Sequence, residues 1–288
     1  MNTYKIFADS ACDIAPNILA DWNVHTASLT FTFTDSDTEY NNGDMPVKQF
    51  YNKMRDGGIA RTSAVNMDAF KDIFKEQLDQ GFDIIYIGFS SGLSTTYNSG
   101  RMAAEELKEL YPERKIIAVD SLSASAGYGL LLKLACDKRD AGCSIEEIAT
   151  FVEQTRLYLC HWFTVDDLVY LKRGGRISPS VAFVGSLLGI KPILHMDDEG
   201  HLVSMTKVRG RKTAITALAD KVGELAIDSS TGPIYLCHGD CKEDANELAA
   251  IVKEKYGVDI GYIADVGPVI GAHSGPGTLA IFFLGKER

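Results

Sequence analysis

The sequence predicts an α/β protein with two parts: an N-terminal three-layer α/β/α domain around a mostly parallel sheet, and a C-terminal α+β domain with a mixed or antiparallel sheet. Three short apolar segments of the first half end in turn residues, as buried strands do, at residues 5–8, 82–87 and 115–119. Helical patterns lie between or after them, at residues 67–80, 96–110 and 124–141. This alternation favours βαβ units, whose parallel sheet is covered on both faces.

The second half lacks this alternation. A helical pattern at 145–157 leads into an apolar run at 158–163, and predicted strands at 234–237 and 278–284 flank a helix at 242–256. We therefore expect an α/β domain over residues 1–157 and an α+β domain over 158–288, with a ligand at their interface. The Thr-rich, alternating segment at 28–41 predicts a small β insert near residues 28–45.

Charge and cysteine spacing exclude several functions. The chain has 29 Lys and Arg against 39 Asp and Glu, a formal net charge of -10. Nucleic-acid binding depends on clustered cations, so this balance argues against it. The six cysteines lack the spacing of a disulfide framework or a zinc site, although Cys237, His238 and Cys241 lie close together in the sequence. With no apolar run of membrane-spanning length and no leader-like start, we expect a cytoplasmic protein without a metal or cofactor.

Small polar clusters follow each of the three predicted strands of the first half. They are Asp9-Ser10, Ser90-Ser91 and Asp120-Ser121. Ligands of open parallel sheets bind beyond the carboxyl ends of the strands, but Ser and Asp also cap helices. Taken together, and with Thr62-Ser63 before another helix, these clusters favour a binding site.

One of these clusters also matches a catalytic motif. The segment Gly88-Phe89-Ser90-Ser91-Gly92 fits the G-x-S-x-G nucleophile elbow between a strand and a helix. Asp265 and His273 follow Ser90 in the chain order of an α/β-hydrolase triad. No oxyanion segment of the HGGG type lies upstream, so a serine hydrolase is kept as the alternative function.

Two basic clusters stand out in this acidic chain: Leu171-Lys172-Arg173-Gly174-Gly175-Arg176-Ile177-Ser178 and Lys207-Val208-Arg209-Gly210-Arg211-Lys212. They indicate either an anionic partner or solvated loop charges. Near the end of the chain, glycines and prolines at 267–277 predict a tight turn that presents His273.

In this order, the motifs resemble the DegV family over essentially the whole chain. The resemblance is carried by Asp9-Ser10-Ala11-Cys12-Asp13, Arg61-Thr62-Ser63, Gly92-Leu93-Ser94-Thr95-Thr96-Tyr97, Val119-Asp120-Ser121, the first basic cluster, Lys191-Pro192-Ile193 and the 267–277 loop. Two positions depart from the usual family pattern. Ala64-Val65-Asn66 follows Thr62-Ser63 without the usual proline, and Thr95 replaces a glycine.

The resemblance implies a non-catalytic protein that holds a long-chain fatty acid between its two domains, with no cofactor and only transient exchange with membranes. Some family members present the fatty acid to a separate ATP-binding fatty acid kinase subunit. By motif position, the carboxylate would be bound by Thr62, Ser63, Ser94 and His273. Arg173 and Arg176 would face the kinase or its phosphate, and Lys207 and Arg209 would join the docking surface.

Physical chemistry is consistent with this expectation. A carboxylate withdrawn from water needs hydrogen-bond donors, which hydroxyl groups provide. A buried acyl chain contributes about 0.8 kcal/mol per CH₂, or about 10 kcal/mol for sixteen carbons before ordering costs. The apolar stretch at 181–194 is predicted either to line the acyl tunnel or to form a core helix.

Overall fold

The computed structural model describes residues 4–177, 189–227 and 233–288. Its N-terminal sheet consists of four parallel strands, β1 (Tyr4–Asp9), β2 (Val24–Ala27), β6 (Asp83–Gly88) and β7 (Ile116–Asp120). Their order across the sheet is β2-β1-β6-β7. The order reverses at β1, so the carboxyl ends of β1 and β6 border the place where ligands bind in such sheets.

Helices cover this sheet on both faces. They are α1 (Pro16–Asp21), α3 (Met67–Leu78), α4 (Thr96–Leu110), α5 (Ser125–Asp140) and α6 (Ile145–Thr155). The predicted helix at 96–110 is confirmed residue for residue. Helix α6 begins at a capping box in which Ser144 and Glu147 satisfy each other's backbone N–H groups.

The β insert is a separate three-stranded antiparallel sheet. Its strands are β3 (Thr30–Phe33), β4 (Glu39–Asn41) and β5 (Ala60–Ser63), in the order β4-β3-β5, with α2 (Val47–Arg55) packed on them. Phe31, Phe33, Phe50 and Tyr51 form its core, and Ala272 from the far end of the chain joins them. The insert therefore packs against the C-terminal half.

The C-terminal sheet has six strands: β8 (Leu159–Thr164), β9 (Ile190–Met196), β10 (Leu202–Arg209), β11 (Ile234–His238), β12 (Ile260–Asp265) and β13 (Leu279–Leu284). Their order is β10-β9-β8-β13-β11-β12, and β11 with β12 is the parallel pair in an otherwise antiparallel sheet. The predicted fold class, with a parallel N-terminal and a mixed C-terminal sheet, is confirmed.

The helices of this half are α7 (Val169–Arg173), α8 (Arg211–Leu225), α9 (Lys242–Tyr256) and α10 (Pro268–Ser274). One face of the sheet packs on α8 and α9, and the other faces α5 of the N-terminal half. Helix α5 is thus buried between the two sheets.

The segment at 267–277 forms the helix α10 up to Ser274, because Pro268 occupies the first helical position, where its fixed φ is favourable. The predicted turn follows directly, with φ of 82° at Gly275 and 78° at Gly277, so His273 lies in the last turn of a helix just before it. The apolar stretch at 181–194 lies mostly outside the described residues, apart from its end in β9. The domain boundary at 157/158 stays a prediction, and it falls just before β8.

Among the described residues, none of the helices combines the length and the apolar composition required to traverse a bilayer.

Candidate functional site

A cavity of about 550 Å³ lies between the N-terminal strand ends and the inner face of the C-terminal sheet. This volume is typical of small-molecule sites. Much of the wall is apolar: Phe89 and Leu93 contribute from the N-terminal half, and Phe163, Ala280 and Phe282 from the C-terminal sheet. Because side chains alternate along β13, Ala280 and Phe282 face the cavity while Leu279 and Ile281 face α8 and α9.

Polar side chains also line this cavity. Thr62 on β5 and His273 on α10 meet there, with 2.8 Å between Thr62 Oγ1 and His273 Nε2. Ser94 also lines the cavity; its Oγ accepts the Thr96 N–H at 3.2 Å and lies 2.9 Å from Thr96 Oγ1. These contacts fix the Ser94 hydroxyl at the start of α4. We call Thr62, Ser94, Arg176 and His273 the head-group site.

Arg176 belongs to this site rather than to the outer surface. Its guanidinium is half-buried and donates to the Leu93 carbonyl from Nε at 3.0 Å and from Nη2 at 2.8 Å. The two preceding glycines permit this position: Gly175 has a φ of 70°, and a Cβ on Gly174 would lie 2.1 Å from His273 Nδ1. The Gly-Gly turn thus folds the Arg176 side chain back against the cavity wall, and that it faces a partner stays a prediction.

His273 is neutral at pH 7. Burial, together with the nearby positive charge of Arg176, lowers the pKa of His273 to about 4. Nδ1 is buried and has no hydrogen-bond partner within the described residues. A proton on Nε2 leaves only a lone pair unpaired at Nδ1, which is less costly than an unpaired N–H. Nε2 then donates to Thr62 Oγ1, and the Thr62 hydroxyl proton is free for a ligand.

The charge of the cavity wall is opposite to that of the chain. None of the described residues that line it is Asp or Glu, and Arg176 contributes a guanidinium. Burial lowers the pKa of Arg176 from its usual high value, and desolvation strengthens its attraction for an anion. The arrangement can hold an apolar chain that ends in a negatively charged, hydrogen-bond-accepting group.

Ser63 is not brought to the other predicted carboxylate ligands. It is exposed and lies outside the cavity wall, because successive residues of β5 point to opposite faces of the insert sheet. Arg173 is exposed, and its guanidinium lies 5.6 Å from the centre of the Tyr170 ring. Lys207 and Arg209 lie on β10, at the edge of the C-terminal sheet.

The hydrolase elbow does not form an active site. Ser90 is fully buried, and its Oγ donates to the Gly200 carbonyl at 2.9 Å. Asp265 lies 3.5 Å from Nδ1 of His238, while His273 contacts Thr62. The three residues of the proposed triad therefore have different partners, and the serine hydrolase interpretation has no support. The G-x-S-x-G pattern has a structural explanation. Ser90 is small and hydrogen-bonded, and it fits where the β9–β10 turn packs against the loop after β6.

Sequence reasoning missed several cavity hydroxyls, including those of Ser125, Ser274 and Thr278. Ser125 begins α5, whose pattern identified it only as part of a buried helix. Ser274 and Thr278 lie in and directly after the glycine-rich segment, whose pattern predicted a turn and not hydroxyls facing a cavity. Two of the three strand-end clusters serve other structural purposes: Asp9 accepts the N–H groups of Phe89 and Ala11, and Asp120 accepts that of Leu122.

Comparison with known proteins agrees with this architecture. A DegV domain-containing protein of Clostridium perfringens is 42% identical over 289 residues, covering 100% of this chain and 99% of the relative. A stearic acid-binding protein from Eubacterium ventriosum superposes with a TM-score of 0.89 at 26% identity, covering 98% of each chain. DegV from Bacillus subtilis, a fatty acid-binding protein, superposes with a TM-score of 0.84 at 28% identity over 99% of this chain and 100% of that one.

The family model also covers nearly the full sequence. The DegV family, described as one of uncharacterised proteins, matches residues 3–286. The match includes both sheets, the insert and every residue of the head-group site. This chain therefore belongs to the DegV family.

Proposed function

We propose that this protein binds a long-chain fatty acid, with the acyl chain in the cavity and the carboxylate at the head-group site. The observation that carries the proposal is the cavity wall itself: it is largely apolar, free of carboxylates among the described residues, and supplied with hydroxyl groups and an arginine. The fatty acids bound by the related proteins of known structure have this chemistry.

The head-group site suits a carboxylate for three reasons. The Thr62 hydroxyl proton is free because His273 occupies the oxygen as a donor. Arg176 contributes a positive charge that burial makes effective. The start of the 15-residue helix α4, next to Ser94, adds the positive end of a helix dipole. A carboxylate held mainly by hydroxyls keeps an oxygen lone pair available for reaction.

The first experiment identifies the ligand. Native mass spectrometry of the purified protein is expected to show one bound acyl chain, and removal of lipid followed by calorimetric titration with palmitate is expected to restore one-to-one binding. Protein that carries no acyl chain and shows no palmitate affinity would contradict the proposal.

We further propose that the bound carboxylate is presented to an ATP-binding kinase subunit. In that reaction a carboxylate oxygen attacks the γ-phosphorus of ATP, the bond to the β-phosphate oxygen breaks, and ADP leaves with acyl phosphate as the product. Exposed cations at Arg173 and Arg209, with the half-buried Lys207, suit a partner that carries a nucleotide, because interface charges steer association. Arg176, within the cavity wall, would then face the reacting carboxylate.

Arg173→Ala is expected to leave palmitate affinity unchanged and to lower the rate of acyl phosphate formation about tenfold at limiting kinase subunit, since its exposed charge acts on association. The measurement is phosphate transfer from labelled ATP in the presence of that subunit. Arg101→Ala is the matched control, because the Arg101 side chain is 41% exposed and pairs with Glu105 on α4. Loss of palmitate binding in Arg173→Ala would instead assign this arginine a structural role.

A further inference from the structure

The turn after β1, Asp9–Asp13, lies outside the cavity wall but is hydrogen-bonded to three segments that lead to Ser94, Thr62 and His273. This turn contains two carboxyl groups and the short 3-10 helix Ser10–Cys12. None of the functions assigned above uses it. Its hydrogen bonds show what it holds in place.

Two of the three contacts lead to the N-terminal half and the insert. Asp9 Oδ2 accepts the Phe89 N–H at 2.8 Å and so fixes the loop that continues to Ser94. Ser10 Oγ accepts the Leu29 N–H at 3.0 Å, just before β3, on which β5 and Thr62 are paired. The turn thus anchors two of the segments that converge on the head group.

The third contact reaches the C-terminal half through Asp13. Its Oδ1 accepts the Gly267 N–H at 3.1 Å, immediately before α10. Its Oδ2 accepts the hydroxyl of Ser125 at 2.6 Å, and Ser125 lines the cavity. The neighbouring Asn42 accepts the Val269 N–H at 2.8 Å through Oδ1. Two side chains of the N-terminal half therefore hold the start of the helix that carries His273.

Asp13 has two features that are uncommon in a purely structural residue: its backbone conformation and its raised pKa. Both Asp13 and its partner Ser125 have left-handed backbone conformations, with φ of 51° and 52°, which non-glycine residues rarely adopt. Burial raises the pKa of Asp13 to about 7, against the effect of donors from Ser125, Gly267 and Asn42, and nearby Asp265 raises it further. A carboxyl group that is costly to ionise thus serves as an acceptor of fixed geometry.

We propose that Asp13 is a positioning residue for the head-group site: its carboxyl group holds the start of α10 so that His273 reaches Thr62. This inference rests on the fatty acid binding proposed above. Asp13 acts through His273 and does not touch the ligand. Because α10 has only seven residues, a shift at its start carries directly to His273 in its last turn.

The test is a double-mutant cycle measured by palmitate titration of delipidated protein. Asp13→Ala is expected to weaken palmitate binding about tenfold, which is the scale of one lost hydrogen bond. Asp13→Asn keeps an acceptor for Gly267 and a donor for Ser125, so it is expected to restore most of the affinity. In a His273→Ala background, Asp13→Ala is expected to cause no further loss.

Three controls separate the possible outcomes. Asp265→Asn removes a nearby carboxylate that makes no bond to α10, and it is expected to keep wild-type affinity. Thermal unfolding of each variant checks that it folds. If Asp13→Ala does not fold, Asn42→Ala tests the same helix start and is expected to show the same loss, again absent in the His273→Ala background.

Equal losses from Asp13→Ala with and without His273 would overturn the proposal, and so would wild-type affinity in a folded Asp13→Ala protein. These results differ from a failure of the proposed function, in which the wild-type protein itself would not bind palmitate.

Discussion

Ala280→Phe is expected to abolish palmitate binding, with a loss of more than a hundredfold in affinity. Ala280 is 4% exposed and lies on the central strand β13, beside Phe163 on β8 and Cys237 on β11, with its methyl group facing the cavity. A phenyl ring at this position would occupy the space of several methylenes. Excluding four of them removes about 3 kcal/mol of burial free energy, which corresponds to a factor of about 150 in the dissociation constant.

Calorimetric titration of the delipidated variant measures this effect, and thermal unfolding reports whether the sheet is intact. Ala280→Ser is the matched control, because its small side chain leaves the cavity open. A folded Ala280→Phe protein that binds palmitate with wild-type affinity would show that the acyl chain lies elsewhere.

Thr62→Val is expected to weaken palmitate binding by about ten- to a hundredfold, since a hydrogen bond to a charged group contributes about 1.5–3 kcal/mol. Valine keeps the shape and the β-branching of threonine, so β5 is preserved while the hydroxyl between His273 and the ligand is removed. Thr62→Ser retains the hydroxyl and is expected to retain most of the affinity. Titration with palmitate at pH 7, where His273 is neutral, measures the difference.

Thr32→Val provides the control for this substitution. Thr32 lies on the neighbouring strand β3, opposite Arg61, and is not part of the cavity wall. It is expected to bind palmitate as the wild-type protein does. An unchanged affinity in Thr62→Val would remove Thr62 from the head-group site.

The local sequence was sufficient to predict the bounds of elements with strong hydrophobic periodicity. Helices α4 and α9 were predicted at their observed bounds because their apolar residues recur at helical spacing over 15 residues each. Short elements such as β2 and α2 were missed, because four to nine residues carry too little periodic signal to distinguish them from loops.

The candidate site was likewise predicted from local sequence only in part. From motif order, the sequence by itself predicted Thr62, Ser94 and His273 as carboxylate ligands. The structure places all three in the cavity wall, and their role in binding stays a prediction. The sequence could not place Arg176 or Ser63, since the direction of a side chain depends on a Gly-Gly turn in one case and on the pleat of a three-stranded sheet in the other.

The tertiary structure alone decided that residues more than 200 positions apart, Thr62 and His273, share a hydrogen bond, and that Asp13 holds the start of the helix that carries His273. It also separated Ser90 from the acid and base that follow it in hydrolase order. Packing brings these groups together or keeps them apart through contacts that no local pattern encodes.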